Sequence, residues 1–201
     1  MDAHRPAYEA AKKDFEQFIE ALIAKLCVKD SSVAGITARS CIFRINKDTR
    51  FSKDKSPYKT NMGAFISKGG KKGIHAGYYF HLEPGNSFAG GGMYMPMPAE
   101  LAKVRQEIDY HFDDFQKLLQ RPDFRKTYGG LDLSKEYQLA KMPKGYQADN
   151  PAAEYLRLKS FISFRSFTDA EITDKNLLRK TEAAFAALQP LVEFLNIAVD
   201  E

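Results

Sequence analysis

The chain has 201 residues, 44% of them hydrophobic and 28% charged, with a formal net charge of +4. This balance is ordinary for a globular protein, and the length suits one domain with a sizeable core. Unbroken apolar runs are too short to span a bilayer, and the start, MDAHRPAYEAAKKDF, has no apolar core of a signal peptide.

From Pro6 the first element reads as a helix. Tyr8, Ala11, Phe15, Phe18, Ile19, Leu22, Ile23 and Leu26 recur at helical spacing, with Lys12, Lys13, Glu16, Gln17 and Glu20 on the other side. The helix is expected to end near Lys29, before the Asp30-Ser31-Ser32 turn. Cys27 and Cys41 lie in apolar surroundings, which points to buried free thiols in a reducing, cytoplasmic compartment.

A short strand is expected at Cys41–Ile45. After it comes the stretch of greatest interest. Between Arg44 and Lys72 stand nine Lys or Arg against two acids, an excess of seven positive charges, so the rest of the chain is net negative. A local excess of this kind points to an anionic partner. Three strands then follow: Met62–Ser67, Gly77–Glu83 and Ser87–Tyr94. The tip Lys68–Gly73 and the turn Glu83–Asn86 join them, which predicts an antiparallel meander.

Pro98 opens another helix, with Leu101, Val104 and Ile108 on one face, and Phe112–Leu119 either continues or breaks from it. Arg121-Pro122-Asp123 is expected to interrupt the helical pattern. A short strand is expected near Tyr137–Leu139 and a short helix from Asn150-Pro151 through Leu156. Ser160–Phe167 alternates as a strand. Thr168–Glu171 fits a capping box. The last helix places Leu178, Phe185, Leu188, Val192 and Leu195 inward, and Pro190 is expected to kink or restart it. There are no internal repeats and no low-complexity linkers. The expected fold is a single α+β domain over residues 1–201: an antiparallel β-meander sheet packed against N-terminal, central and C-terminal helices.

Three stretches, RFSKDKSPYKTNMGAFIS, GYYFHLEPGNSFAGGGMY and PKGYQADNPAAEYLRLKSF, in that order, together resemble a conserved family catalogued as the domain of unknown function DUF2461. The resemblance covers nearly the whole chain. It implies an intracellular α+β domain and carries no assigned activity. Members of that family have a further helical stretch upstream, with an Asn-Asn and a Trp-Phe pair, so this chain is expected to lack an N-terminal helical segment.

For a site, the basic segment supplies Arg50, Lys53, Lys55 and Lys59 as donors to phosphate or carboxylate, with Tyr58 as a further hydroxyl or stacking face. Alternation along Gly77–Glu83 puts Tyr78, Phe80 and Leu82 on the helix side and Tyr79, His81 and Glu83 on the other. His81 and Glu83 lie ~6–7 Å apart along the strand and are the candidate catalytic pair. Gly90-Gly91-Gly92 on the next strand leaves room beside them. Lys159, with Arg157 and the Lys141–Tyr146 stretch, reads either as a patch converging on the anion site from further along the chain or as ordinary exposed lysines, the second reading being taken for Lys141. Metal binding is not expected, because His75 sits ~20 Å along the chain from the His81–Glu83 pair. No cofactor is expected either. Met93–Pro98 reads as adaptable apolar packing.

The function expected from these residues is binding of an anionic small molecule, phosphorylated or carboxylate, beside the polar sheet face. Two other readings use the same surface. One is a nucleic-acid-associated protein whose lysines track the backbone. The other is a protein-interaction module with no small ligand.

Overall fold

A computed structural model describes residues 5–48, 50 and 55–200. Helix α1 (Arg5–Leu26) buries Phe15, Ile19, Leu22, Ile23 and Leu26, the stripe its spacing predicts. It ends three residues before Lys29. Just beyond it, the buried Asp30 accepts hydrogen bonds from the Ser32 N–H (2.9 Å) and from the Tyr78 hydroxyl (2.8 Å). This carboxylate ties the end of α1 to the sheet.

The strand expected at Cys41–Ile45 is not formed. Its first residue closes a one-turn helix, α2 (Ala38–Cys41), whose first N–H donates to the Glu20 carboxylate of α1 at 3.0 Å. Only Ile42 bridges to Ala64, and Asn46 bridges to Tyr58. A carboxylate from another element thus overrides the local apolar pattern. Cys27 and Cys41 are both free, and burial pushes the Cys41 thiol up.

The sheet has four strands: β1 (Met62–Ser67), β2 (Gly77–Leu82), β3 (Ser87–Met93) and β4 (Phe161–Phe167). They lie in the order β1-β2-β3-β4, every pair antiparallel. The first three form the expected meander, and β4 adds beside β3. Tyr78 and Phe80 are fully buried against helices. Tyr78 tilts against Phe185 at 5.2 Å and Phe80 against Phe18 at 4.9 Å. Leu82, at the strand end, is only partly buried against the same core.

Helices α3 (Pro98–Tyr110) and α4 (Phe112–Leu119) follow the predicted pattern. Arg121-Pro122-Asp123 does not simply interrupt it. Pro122 stands in the first turn of a further helix, α5 (Pro122–Tyr128), which buries Phe124 and stops at Gly129 with φ +74°. The strand expected at Tyr137–Leu139 is a 3₁₀ turn, Lys135–Tyr137, followed by a single bridge between Gln138 and Leu158. Helix α6 (Ala153–Leu156) is one turn, and α7 (Asp169–Ile172) carries the expected capping box on Thr168 and Glu171.

Helix α8 (Leu177–Asp200) runs through Pro190 without restarting. Pro190 has no N–H to give the Ala186 carbonyl, and the helix holds because it is packed along its length on β3, α1 and α3. By length and apolarity, α8 contains a stretch able to cross a bilayer, which a search for unbroken apolar runs misses. Half of that stretch is buried inside the fold.

Leu22 has no exposed surface in this core. Leu22→Ala is expected to cost about 2–5 kcal/mol of stability, the usual range for a buried leucine. Urea unfolding monitored by far-UV circular dichroism would show it as a lower midpoint. An unchanged midpoint would mean that α1 does not pack as described.

Candidate functional site

The helices occupy one face of the sheet, and strand register dictates what the other face carries. Phe65, Tyr79, Gly90 and Phe164 form one row across the four strands. Gly63, His81, Phe88 and Ser166 form the next, and Ser67, Gly77, Gly92 and Ile162 the third. Large rings therefore alternate with glycines, and the rings stand beside open troughs.

A cleft of about 750 Å³ lies over this face. Phe65, Tyr79, Phe88 and Phe164 contribute its floor. Phe88 packs against Tyr79 at 5.7 Å and against Phe164 at 5.5 Å, and Phe164 remains 48% exposed. Along the β1 edge the wall is Phe43 and Lys59. Around the hairpin tip it is Lys71, Lys72, Ile74 and His75. Beyond β3 it is Tyr94, Met95, Met97, Glu100 and Tyr137.

The floor is held by a chain of hydrogen bonds. The Tyr79 hydroxyl lies 3.1 Å from His81 Nδ1, and the Asn61 amide nitrogen lies 3.4 Å from the same atom. Burial, with the nearby Glu83 charge, pushes the Tyr79 phenol up, so it keeps its proton and donates. Two donors on Nδ1 leave the imidazole proton on Nε2, which donates to Glu83 Oε2 at 3.2 Å. The Glu83 carboxylate also accepts from the Thr60 hydroxyl and from the Asn86 amide at 2.9 Å. Thr60 first, then Asn86 and His81, hold this carboxyl down to about 2. The His81 ring is stacked flat on Phe88, with centroids 4.7 Å apart and planes at 9°.

His81 and Glu83 are thus directly bonded, closer than their separation along the strand suggests. They do not line the cleft; His81 reaches its floor through Tyr79 and through the ring of Phe88. Of the ligand-binding residues expected from sequence, Tyr79 and Lys59 line the cleft. Arg50 forks onto Asp48, Nε to Oδ1 at 3.0 Å and Nη2 to Oδ2 at 2.7 Å, and holds that carboxyl down. Lys55 and Tyr58 are exposed, and Lys159 is half-buried with its N–H donating to the Tyr137 carbonyl at 2.7 Å. None of these four lines the cleft. Lys53 lies outside the described residues.

Other residues come to the cleft that the sequence reading did not select. Lys72 is exposed on its rim, and Lys71 donates to the carbonyls of Arg39 (3.3 Å) and Ser40 (3.1 Å) at the end of α2. The Lys59 ammonium sits 5.8 Å from the Phe43 ring centroid. None of these three lysines forms an ion pair among the described residues. The hairpin that carries Lys71 and Lys72 is strapped to the end of α8. Asp200 accepts from Lys68 and from His75, each at 2.8 Å, and the Ala76 N–H donates to Asn196 at 2.8 Å. Among the described residues no group of three or more His, Cys, Asp or Glu is placed to hold a metal ion.

Two outcomes test this geometry. A Cβ at Gly63 would lie 2.5 Å from the Tyr79 hydroxyl. Gly63→Ala is therefore expected to push the phenol off His81, read as a change in the His81 ring ¹⁵N shifts, with Nδ1 losing one of its two donors. The second outcome concerns pH. Glu83 ionises at about 2 against an ordinary 4.5, so its ionised form stabilises the fold above pH 4.5, and the contribution fades as pH falls from 4.5 toward 2. Glu83→Gln is expected to be less stable than the parent above pH 4.5, with the gap closing toward pH 2, as followed by urea midpoints across that window.

The chain belongs to the family described as conserved hypothetical protein (DUF2461), whose pattern matches residues 1–194. No curated protein and no solved structure matches it.

Proposed function

We propose that this protein binds an anionic small molecule with an apolar or aromatic body in the cleft on the open face of its sheet. The observation that carries this reading is the set of three lysines, Lys59, Lys71 and Lys72, which line an aromatic-floored cleft and form no ion pair among the described residues. Like charges gathered beside an apolar surface repel one another, and an anion relieves that repulsion. A volume of about 750 Å³ suits a small ligand. In this reading the rings take the body of the ligand and the ammonium groups take its phosphate or carboxylate. Tyr79 supplies one further donor, and His81 and Glu83 act as positioning residues that fix its hydroxyl. The two free cysteines favour a reducing, cytoplasmic setting.

A second reading rests on the same face. Tyr94 and Phe164 are largely exposed rings in the same cleft as the lysines, the chemistry of a stacking platform for single-stranded nucleic acid.

Thermal unfolding in the presence of phenyl phosphate and of 4-phenylbutyrate separates the readings. Both ligands are expected to raise Tm in proportion to the logarithm of concentration, and inorganic phosphate to do so less. A K59A/K72A double variant is expected to bind roughly tenfold more weakly. No shift with either aromatic anion, or the same shift in the double variant, would overturn the small-ligand reading. Tight binding of oligo(dT) that falls steeply with salt would favour the nucleic-acid reading instead.

A further inference from the structure

Of the four rings on the cleft floor, Tyr79 alone carries a hydroxyl. That hydroxyl opens a line of hydrogen bonds leading away from the cleft. It donates to His81 Nδ1 at 3.1 Å, and His81 Nε2 donates to Glu83 Oε2 at 3.2 Å. The order is that of an assembly which takes up a proton: a hydroxyl at the surface, an imidazole able to accept its proton, and a carboxylate to steady the imidazolium. A tyrosine that only braces the fold needs no such line. The Tyr128 hydroxyl ends on the Ala184 carbonyl at 2.7 Å, which cannot take its proton.

A cation stands at the same end of the cleft as the phenol oxygen. A Cβ at Gly63 would lie 2.5 Å from the Tyr79 hydroxyl, so the oxygen lies over Gly63, near the start of β1. Phe43 is bonded to that residue, its N–H donating to the Gly63 carbonyl at 2.9 Å, and its ring stands edge-on to Tyr79 at 6.2 Å. The Lys59 ammonium lies 5.8 Å from the centre of the Phe43 ring, and Phe43 and Lys59 both line the cleft. Lys71 and Lys72 belong to the hairpin tip, beyond the far end of β1.

The protonation states suit a relay. Glu83, held down to about 2, is a standing counter-charge at neutral pH. Burial keeps the Tyr79 phenol protonated, so it releases its proton only as it takes another. Asn61, at 3.4 Å, is the looser donor on Nδ1, and its amide turned over offers oxygen to a proton arriving there. Such a line takes and returns a proton at one oxygen, with Lys59 near for the charge left behind. That suits a C–H acid, whose negative charge must be held until the proton returns.

Resting on the reading of the cleft as an anion site, we propose that Tyr79 is the catalytic residue of a proton-transfer site. Its substrate class is a carboxylate with an aromatic body and a C–H bond made acidic by an adjacent carbonyl, as in the aryl 2-oxo acids. The C–H proton passes to Tyr79 Oη as the phenol's own proton passes to His81 Nδ1. The C–H electron pair stays on the substrate as an enolate, its charge toward Lys59, and the imidazolium lies against Glu83. Nothing is oxidised or reduced. On the return stroke His81 gives its proton back to Tyr79, and the phenol donates to the carbon or to the enolate oxygen. His81 and Glu83 act through Tyr79 and are positioning residues.

Exchange of the benzylic hydrogens of phenylpyruvate in deuterium oxide, followed by proton NMR with the intact chain, tests this. The parent is expected to exchange them about a hundredfold faster than solvent alone. Y79F is expected to fall back to the solvent rate at phenylpyruvate concentrations that still raise its Tm. H81A is expected to lose exchange and to regain it roughly tenfold on addition of imidazole, which a structural role would not produce. A parent rate equal to that of solvent, a Y79F rate equal to the parent's, or a folded H81A that ignores imidazole would overturn the relay. If 4-phenylbutyrate still raises Tm in that case, the anion site stands. If neither anion raises Tm, the anion site fails and this inference falls with it.

Discussion

The close approach of strand β3 to its neighbours, α8 on one face and β4 at its side, is the constraint on which both faces of this sheet depend. A Cβ at Gly91 would meet the Gly77 carbonyl at 2.1 Å and the Leu188 side chain at 2.9 Å. One at Gly92, where φ is +109°, would meet the Phe161 carbonyl at 2.0 Å. No side chain fits at either position: at Gly91 the bare backbone of β3 sits under α8, and at Gly92 it sits against β4. On the helix side this lets Tyr78, Phe185 and Leu188 close the core without a gap. On the other side it leaves β3 with no large side chain between Phe88 and Met93. The bare stretch of the open face thus comes from the close approach of β3 to β4 at Gly90 and Gly92, and the closed core from its approach to α8 at Gly91.

That dual role explains which parts were legible in the sequence. The strands were readable because alternation and turn residues agree: Tyr78 and Phe80 point inward, and Gly69 and Gly85 take the positive φ their turns need. The misread segments are those decided by tertiary partners. Cys41 ends a helix because Glu20, on a different element, caps it. Phe124 draws Pro122–Tyr128 into a helix because it has a core to enter.

The site divides along the same line. The polar parity of Tyr79, His81 and Glu83 was visible, because one strand shows its own faces. Phe88, Phe164 and Tyr79 share a face only through register across three strands, which no single strand displays. Arg50 looked like the strongest anion donor, yet Asp48, two residues away, takes both of its forked N–H groups. Lys71 and Lys72 counted toward the basic excess but were not among the expected donors. What matters at these positions is where the hairpin leans. Asp200 and Asn196 hold it against α8, so that its lysines overhang the sheet. Glu100 lies some forty residues from the basic segment, on a helix, and no local pattern links the two.

An apolar sheet face open to water raises a further question, since an antiparallel sheet with free edges extends itself by pairing with another copy. Both edges here are blunted. Along β1, Phe43 donates to the Gly63 carbonyl at 2.9 Å, and Ile42 bridges to Ala64. Along β4, the Asp132 N–H donates to the Ile162 carbonyl at 2.8 Å, and the Ser163 hydroxyl to the Gly130 carbonyl at 2.8 Å. Irregular segments thus occupy backbone groups that a new strand would need. The hydrogen-bond chain from Thr60 through Glu83 and His81 to Tyr79 meanwhile fixes part of the floor, which keeps the rings from collapsing over one another. A face whose edges are closed to strand addition and whose rings are held in place favours an occupant that lies across the strands.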